Sequence, residues 1–235
     1  MITLIGTGHI FNINEQVSFI IKHIWPDAVL VELDLSRYNA MTDQGAERGD
    51  LPRSYKKAAE YQKRMASERG TTSGSELITA AETGRMLGSE ILFIDMNAAE
   101  TLERVMSEMS FGERMRYRFS SFRDRFSKKV SVEETIEEFS ADEENVMERM
   151  RRRFPTLVRI LMDERNEHMA SRIAEASEMY ANIVAVIGDG HVEGISKLLT
   201  GKEIKKIRLK ELMNKERMDE IRSELWTHRS EKDGS

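Results

Sequence analysis

Two hydrophobic periods share this chain. Short apolar runs rich in β-branched residues stand at positions 2–6 (ITLIG), 28–33 (AVLVEL), 90–95 (EILFID) and 183–187 (IVAVI). Runs of this length, apolar on both sides of the pleat, predict buried strands of a parallel sheet. Between them the period changes to that of a helix. From about Asn14, residues Val17, Ile20, Ile21 and Ile24 share one face, and Pro26 closes the segment. A helical turn with Arg37 follows the second strand, and residues 42–52 read as a loop. A charged helix is expected over 53–69, and glycines at 70 and 74 break it. Ser75, or alternatively Ser73, caps the next helix, which runs to about Leu87.

Residues 98–180 are almost free of strand pattern and predict several helices, with breaks near Gly112, Ser131 and Pro155. The last of these helices is long, with Leu157, Leu161, Glu164 or Arg165, His168 or Met169, Arg172 and Ala176 at helical spacing. After the strand at 183–187, a helix is expected from Val192 to Leu199, a further strand within Glu203–Leu209, and a final helix from Lys210 to Trp226. The tail SEKDGS should fray. The expected fold class is therefore α/β. A central, largely parallel or mixed sheet is flanked by helices, and a helical insertion over about 98–180 lies within a single domain, 1–235.

The candidate chemistry lies where the strands end. Two strands run into the same pattern, Gly-x-x-His: Gly6 with His9, and Gly188 with His191. Ligands of open α/β sheets bind at the carboxyl ends of strands. A glycine there lets the chain turn sharply and lets a ligand approach the backbone, so Gly6 and Gly188 are candidate binding positions. Glu32 ends another strand. Two histidines and one carboxylate form a common divalent-metal set, so His9, His191 and Glu32 are the candidate ligands. The positive end of a following helix would favour the neutral, metal-binding imidazole. Asp95 is a further ligand or an orienter, and Arg37 a clamp for a substrate carboxylate or an oxyanion. Asp34 reads as a helix cap or an ordinary strand-end charge. The bland alternative for the histidines is a pair of loop residues bonded to backbone. On the long helix, Glu164 and His168 share a face that either packs over the sheet ends or stays solvated.

Composition narrows these readings. Charged residues make up 33% and aromatics 7% of 235 residues, and proline occurs 3 times, which suits long solvated helices. With no cysteine, thiolate metal sites and cysteine nucleophiles are excluded. The net charge of −5 argues against a general polyanion binder. Residues 111–129 interleave arginine with aromatics, but acidic stretches at 133–138 and 142–144 can pair with them. No nucleic-acid partner is expected. The 15 methionines read as core filler. No apolar run approaches the roughly 18 residues of a membrane span, and no basic leader precedes the first strand. The expectation is a cytoplasmic protein with no integral membrane segment, acting alone or as a homodimer.

IGTGHI, VLVELDLSRYNAM, DERNEHMA and VIGDGHVEGI, in that order over Ile2–Leu199, resemble the TraB/PrgY family of the TIKI-like superfamily. The segment ILFID followed by TLERV, with Thr101 and Arg104, is similar too, although Met96 stands where many relatives carry arginine. Many relatives also have a C-terminal membrane segment. The resemblance implies a fold like that of the erythromycin esterase and ChaN-like proteins. It implies a metal-dependent peptidase or hydrolase acting on a peptide or small-molecule substrate. The functional residues would match His9, Glu32, His191, Arg37, Arg165 and Asn166. The alternative it implies is a non-catalytic peptide- or haem-binding regulator, since some relatives inhibit a peptide pheromone.

Overall fold

The structure is a computed structural model that describes residues 1–8, 11–42, 74–123 and 143–233. The chain forms two compact units. One contains Met1–Ala98 with Asn166–Ser235, the other Ala99–Arg165.

The first unit is built on a five-stranded sheet: β1 (Ile2–Thr7), β2 (Ala28–Val31), β3 (Glu90–Phe93), β4 (Ile183–Gly188) and β5 (Ile204–Ile207). The order is β3-β2-β4-β1-β5 and every pairing is parallel. The α/β expectation is met. The continuous apolar runs became the inner strands: β1, β2 and β4 are buried almost throughout, while β3 is a partly exposed edge. β4 follows β3 along the chain yet inserts between β1 and β2. The connection after β1 therefore runs one way across the sheet and the connection after β4 runs the other. Parallel crossovers are right-handed, so the two must use opposite faces.

On one face Leu4, Leu30, Ala185 and Ile187 pack with Met169, Ile173, Val192 and Ile195 in one core cluster. These come from the helices Glu164–Met179 and Asp189–Leu198. The other face is covered by Ser75–Leu87, where Gly84 lies so close to Val29 and Ile91 that a Cβ would approach them to 2.8 and 2.7 Å. Asn14–Ile24 packs beside that helix and buries Val17, Ile20, Ile21 and Ile24, the face its spacing predicts. Each such side chain contributes about 1.5–3 kcal/mol on burial.

Several boundaries differ from expectation, each for a local reason. Ser73 lies outside the described residues, and Ser75 is the first residue of the helix Ser75–Leu87 rather than its cap. Gly74, with φ 78°, precedes it, and the Ser75 hydroxyl bonds Asn14 instead. The break expected near Gly112 falls earlier, because Ser110 and Glu113 bond each other reciprocally and start the helix Phe111–Arg123. The final helix is two: Leu209–Met213, then Lys215–Asp233, with the Asn214 side chain accepting from Arg217 N–H. The second continues through Ser230–Asp233, where fraying was expected. The expected helix over 53–69 and the break near Ser131 lie outside the described residues.

A π-helical turn at Arg159–Asp163 precedes Glu164–Met179. It adds a residue to one turn, so a phase carried from Leu157 in α-helical steps arrives about one residue early. The buried positions are Asn166, Met169, Ala170, Ile173 and Ala176. His168 is exposed rather than turned inward.

Candidate functional site

β2 ends at Val31, and the Glu32 N–H extends the ladder to the Val186 carbonyl at 3.0 Å. That bond fixes the Glu32 backbone against β4 and leaves its carboxylate buried, with 3% of the residue exposed. One carboxylate oxygen, Oε2, accepts from the Gly188 N–H at the end of β4. Oε1 lies 3.6 Å from His191 Nε2. Gly188 has an ordinary backbone, φ −58° and ψ 136°, so a left-handed turn is not its reason for being glycine. A Cβ there would stand 3.3 Å from Glu32 Oε2 and 3.6 Å from His191 Cδ2. The contact to His191 would be ordinary, and Glu32 Oε2 would have to give by a few tenths of an ångström. The expectation of a sharp glycine turn is corrected: the helix begins at Asp189, and His191 lies in its first turn.

His191 is buried, and its Nδ1 lies 2.7 Å from Asn166 Oδ1. An amide oxygen only accepts, so Nδ1 carries the proton and Nε2 is the atom turned to Glu32. Asn166 comes from the adjacent helix. It fits because Gly194, three residues after His191, has no side chain: a Cβ there would lie 2.3 Å from Asn166 Nδ2. The motif GDGHVEG thus places one imidazole and, at Gly194, leaves room for the Asn166 that holds it. Among the expected site residues, Glu32, His191, Gly188 and Asn166 come together.

A second polar cluster, not singled out by sequence pattern, borders this one. Asp189 accepts from Arg208 twice, Nε to Oδ1 and Nη2 to Oδ2, each at 2.9 Å, and from Leu209 N–H at 2.8 Å. Arg208 also reaches Glu193 at 3.0 Å. Gly6 explains its place: a Cβ on it would fall 2.2 Å from Asp189 Oδ1. Gly6 therefore makes room for an internal carboxylate. The aspartate of GDGH, directly after a strand, was the available signal.

The other expected residues are distributed as follows. Asp34 caps the helix Leu35–Met41 through Arg37 N–H and also accepts from Ala98 N–H, so its capping reading is the one seen. Arg37 donates to the buried Asp95 at 3.3 Å, with its side chain 30% exposed. Asp95 orients this arginine and holds Met96 N–H. Arg165 belongs to the helical unit, where it donates to the Leu161 carbonyl. Glu164 pairs with Arg104 and Arg159 of that unit. β1 ends opposite Gly188, in register Thr7 with Gly188, and the chain is described to Gly8. His9 lies outside the described residues.

This arrangement suits proton transfer or metal ligation. A histidine whose Nδ1–H is held by a side-chain oxygen presents Nε2 in a fixed direction, a common outer support for a metal-bound imidazole. Around a tetrahedral ion with bonds of about 2.0–2.1 Å, neighbouring donors lie about 3.3–3.4 Å apart. Glu32 Oε1 and His191 Nε2, at 3.6 Å, fit two adjacent positions after a small adjustment. Among the described residues no group of three or more acidic, histidine or cysteine side chains forms a metal cluster. None of the described helices is long and apolar enough to cross a membrane.

The family model for the TraB/PrgY/gumN family matches residues 1–210. The uncharacterized protein MJ1365 of Methanocaldococcus jannaschii is 30% identical over 210 residues, covering 84% of this chain and 53% of its own length. The chain thus spans about half the length of that curated relative. The match extends from β1 through the site strands to the start of the helix after β5, and the chain belongs to the TraB/PrgY/gumN family.

Proposed function

We propose that this protein is a metal-dependent hydrolase acting on peptides, with His191, Glu32 and His9 around one divalent ion. The observation that supports it most is the buried chain of Glu32, His191 and Asn166 at the carboxyl ends of β2 and β4. Burying a carboxylate and an imidazole costs stability that apolar residues would not. Such groups at a parallel sheet's carboxyl edge suit chemistry better than packing.

A bound divalent ion would bring the pKa of its water near neutrality and supply the nucleophile. The chain's own residues do the rest. Asn166 holds the His191 ring by Nδ1–H, which keeps Nε2 aimed. The Gly188 N–H holds Glu32 Oε2, and Oε1, on the His191 side, would ligate or take a proton. Arg37, braced by Asp95, clamps a substrate carboxylate or a developing oxyanion. Arg165 enters through the family resemblance as a substrate contact.

Elemental analysis of the purified chain and of a His9→Ala, His191→Ala double variant tests the reading, together with a peptide-cleavage assay. The parent should retain a divalent metal and cleave; the double variant should lose both. A metal-free parent that cleaves fully would overturn the metal role. A parent that binds peptide or haem without cleaving would replace the hydrolase by the regulator.

A further inference from the structure

The pair Asp189–Arg208 crosses the sheet edge where the candidate site is assembled. Asp189 is the first residue of the helix that carries His191, at the exit of β4. Arg208 directly follows β5, which ends at Ile207. The strand between β4 and β5 is β1. The pair therefore spans the carboxyl end of β1 and passes over Gly6, where a Cβ would lie 2.2 Å from Asp189 Oδ1. Its geometry is strong: two parallel N–H···O bonds of 2.9 Å between side chains only 12% and 15% exposed, plus Leu209 N–H at 2.8 Å. Leu209 in turn closes on the exit of β1, where a Cβ on Gly8 would meet its Cδ2 at 2.9 Å.

From this geometry we infer that Asp189 and Arg208 are positioning residues of the site, a strap that fixes the first turn of the His191 helix against the exit of β1. The strap holds two things in register. One is the His191 ring, two residues after Asp189, in its bond to Asn166. The other is the β1 exit through Gly6–Gly8. It touches neither substrate nor ion in this reading, and it rests on the proposal above only where metal binding is concerned. An ion pair needed for stability alone could span any two elements. This one joins the ends of β4 and β5 across β1, and a glycine on β1 makes room for it.

The test uses two readouts on the full chain. The first is the ring-nitrogen NMR signature of His191 in metal-free protein, which reports whether Nδ1 or Nε2 carries the proton. The second is Zn²⁺ affinity by titration. Asp189→Asn and Arg208→Lys remove charge or the two-pronged contact with little change of volume. Gly6→Ala changes no charge and pushes Asp189 aside. All three should fold, lose the uniform Nδ1–H form and weaken Zn²⁺ binding by about 10–100-fold. Lys206→Met, which removes only the outer contact to Glu193, should leave both readouts at parent values. If Asp189→Asn does not fold, Arg208→Lys and Gly6→Ala carry the measurement. Folded variants with the parent's Nδ1–H signature would overturn the strap whatever the metal does. A parent that binds no Zn²⁺ but whose variants lose the Nδ1–H form would overturn the metal reading and keep the strap.

Discussion

At the rim of the sheet, Glu32, His191 and Asn166 are buried side by side: Asn166 Oδ1 accepts from His191 Nδ1–H, Glu32 Oε2 accepts from Gly188 N–H, and Glu32 Oε1 lies 3.6 Å from His191 Nε2. In the helical unit, Glu113 is buried among neutral donors, and Arg104, Glu108, Arg159 and Glu164 close a square of ion pairs at the surface. The same residue types do different work. Glu113 accepts from the N–H and hydroxyl of both Ser110 and Thr156, so one carboxylate starts two helices. Nothing about it is aimed elsewhere. Glu32 spends one oxygen on a backbone N–H and turns the other to a histidine. A buried carboxylate fully used by helix ends is architecture; one that faces a fixed imidazole suits chemistry.

The sharpest way to break that contrast is Glu32→Gln. The amide oxygen can still accept from Gly188 N–H, so the fold should hold. Turnover should fall by about 10²–10⁴-fold if Oε1 carries ligation or proton transfer. Activity within a few-fold of the parent, with an unchanged melt, would make Glu32 as architectural as Glu113.

Glycines extend the comparison. Gly194→Ala drives a methyl group to within 2.3 Å of Asn166 Nδ2. Asn166 must leave His191, and metal affinity and cleavage should drop by about 10–100-fold. In the helical unit a Cβ on Gly112 meets nothing within 4 Å. Gly112→Ala should raise stability by up to about 1 kcal/mol, read in a denaturant melt, with cleavage unchanged.

The glycines also mark how far the residues themselves could be read. The strands, the parallel sheet and the pairing of Glu32 with His191 follow from apolar runs that end in a polar residue, a local signal. The role of Gly194 is not local: it depends on Asn166, 28 residues earlier, and on a π turn that shifts the phase of that helix. No apolar period announces a π turn, so the spacing leaves open whether Glu164 with His168, or a neighbouring face, turns inward. Asn166 came from the family resemblance instead. Asp189 with Arg208 is an ion pair between the ends of different strands, and charge spacing along the chain carries no trace of it. Gly6 and Gly188 were legible as special positions, but the room Gly6 makes for Asp189 was not, because that requires knowing what stands opposite.

Glu113→Gln probes the architectural side. It should lower the stability of the helical unit by about 1–3 kcal/mol, since buried donors lose a charged acceptor. Burial alone would raise the Glu113 pKa, but the Thr156 and Ser110 donors outweigh it and hold the carboxyl below the ordinary glutamate value of 4.5. A depressed folded pKa gives stability that is complete above the unfolded value and is lost as pH falls through the folded one. The parent should therefore lose this increment below about pH 4.5, and Glu113→Gln should flatten that part of the melt-versus-pH curve. A variant whose acid limb matches the parent's would remove Glu113 from the account.

The smallest effect belongs to the square. The Arg104 hydrogen bond holds Glu164 below its ordinary pKa, and the Arg159 hydrogen bond does the same for Glu108. Yet both arginine side chains are well exposed, 39% and 44%, and water and salt screen exposed pairs. Four contacts in a closed ring should therefore count for less than the single buried Glu113. Arg159 opens the π turn and Glu164 follows it, so their contact spans the turn. Arg159→Met keeps most of the aliphatic stem and removes the charge. It should lower the melting temperature slightly in low salt and match the parent at about 1 M salt, where charges interact over only about 3 Å. The residual difference at high salt decides between two accounts. If it vanishes, the square acts through charge and the π turn is held by its own packing around Ile160. If a loss as large as that of Glu113→Gln persists, the ring of arginines is part of what keeps the turn wound, and surface and buried carboxylates in this unit are not as different as their exposure implies.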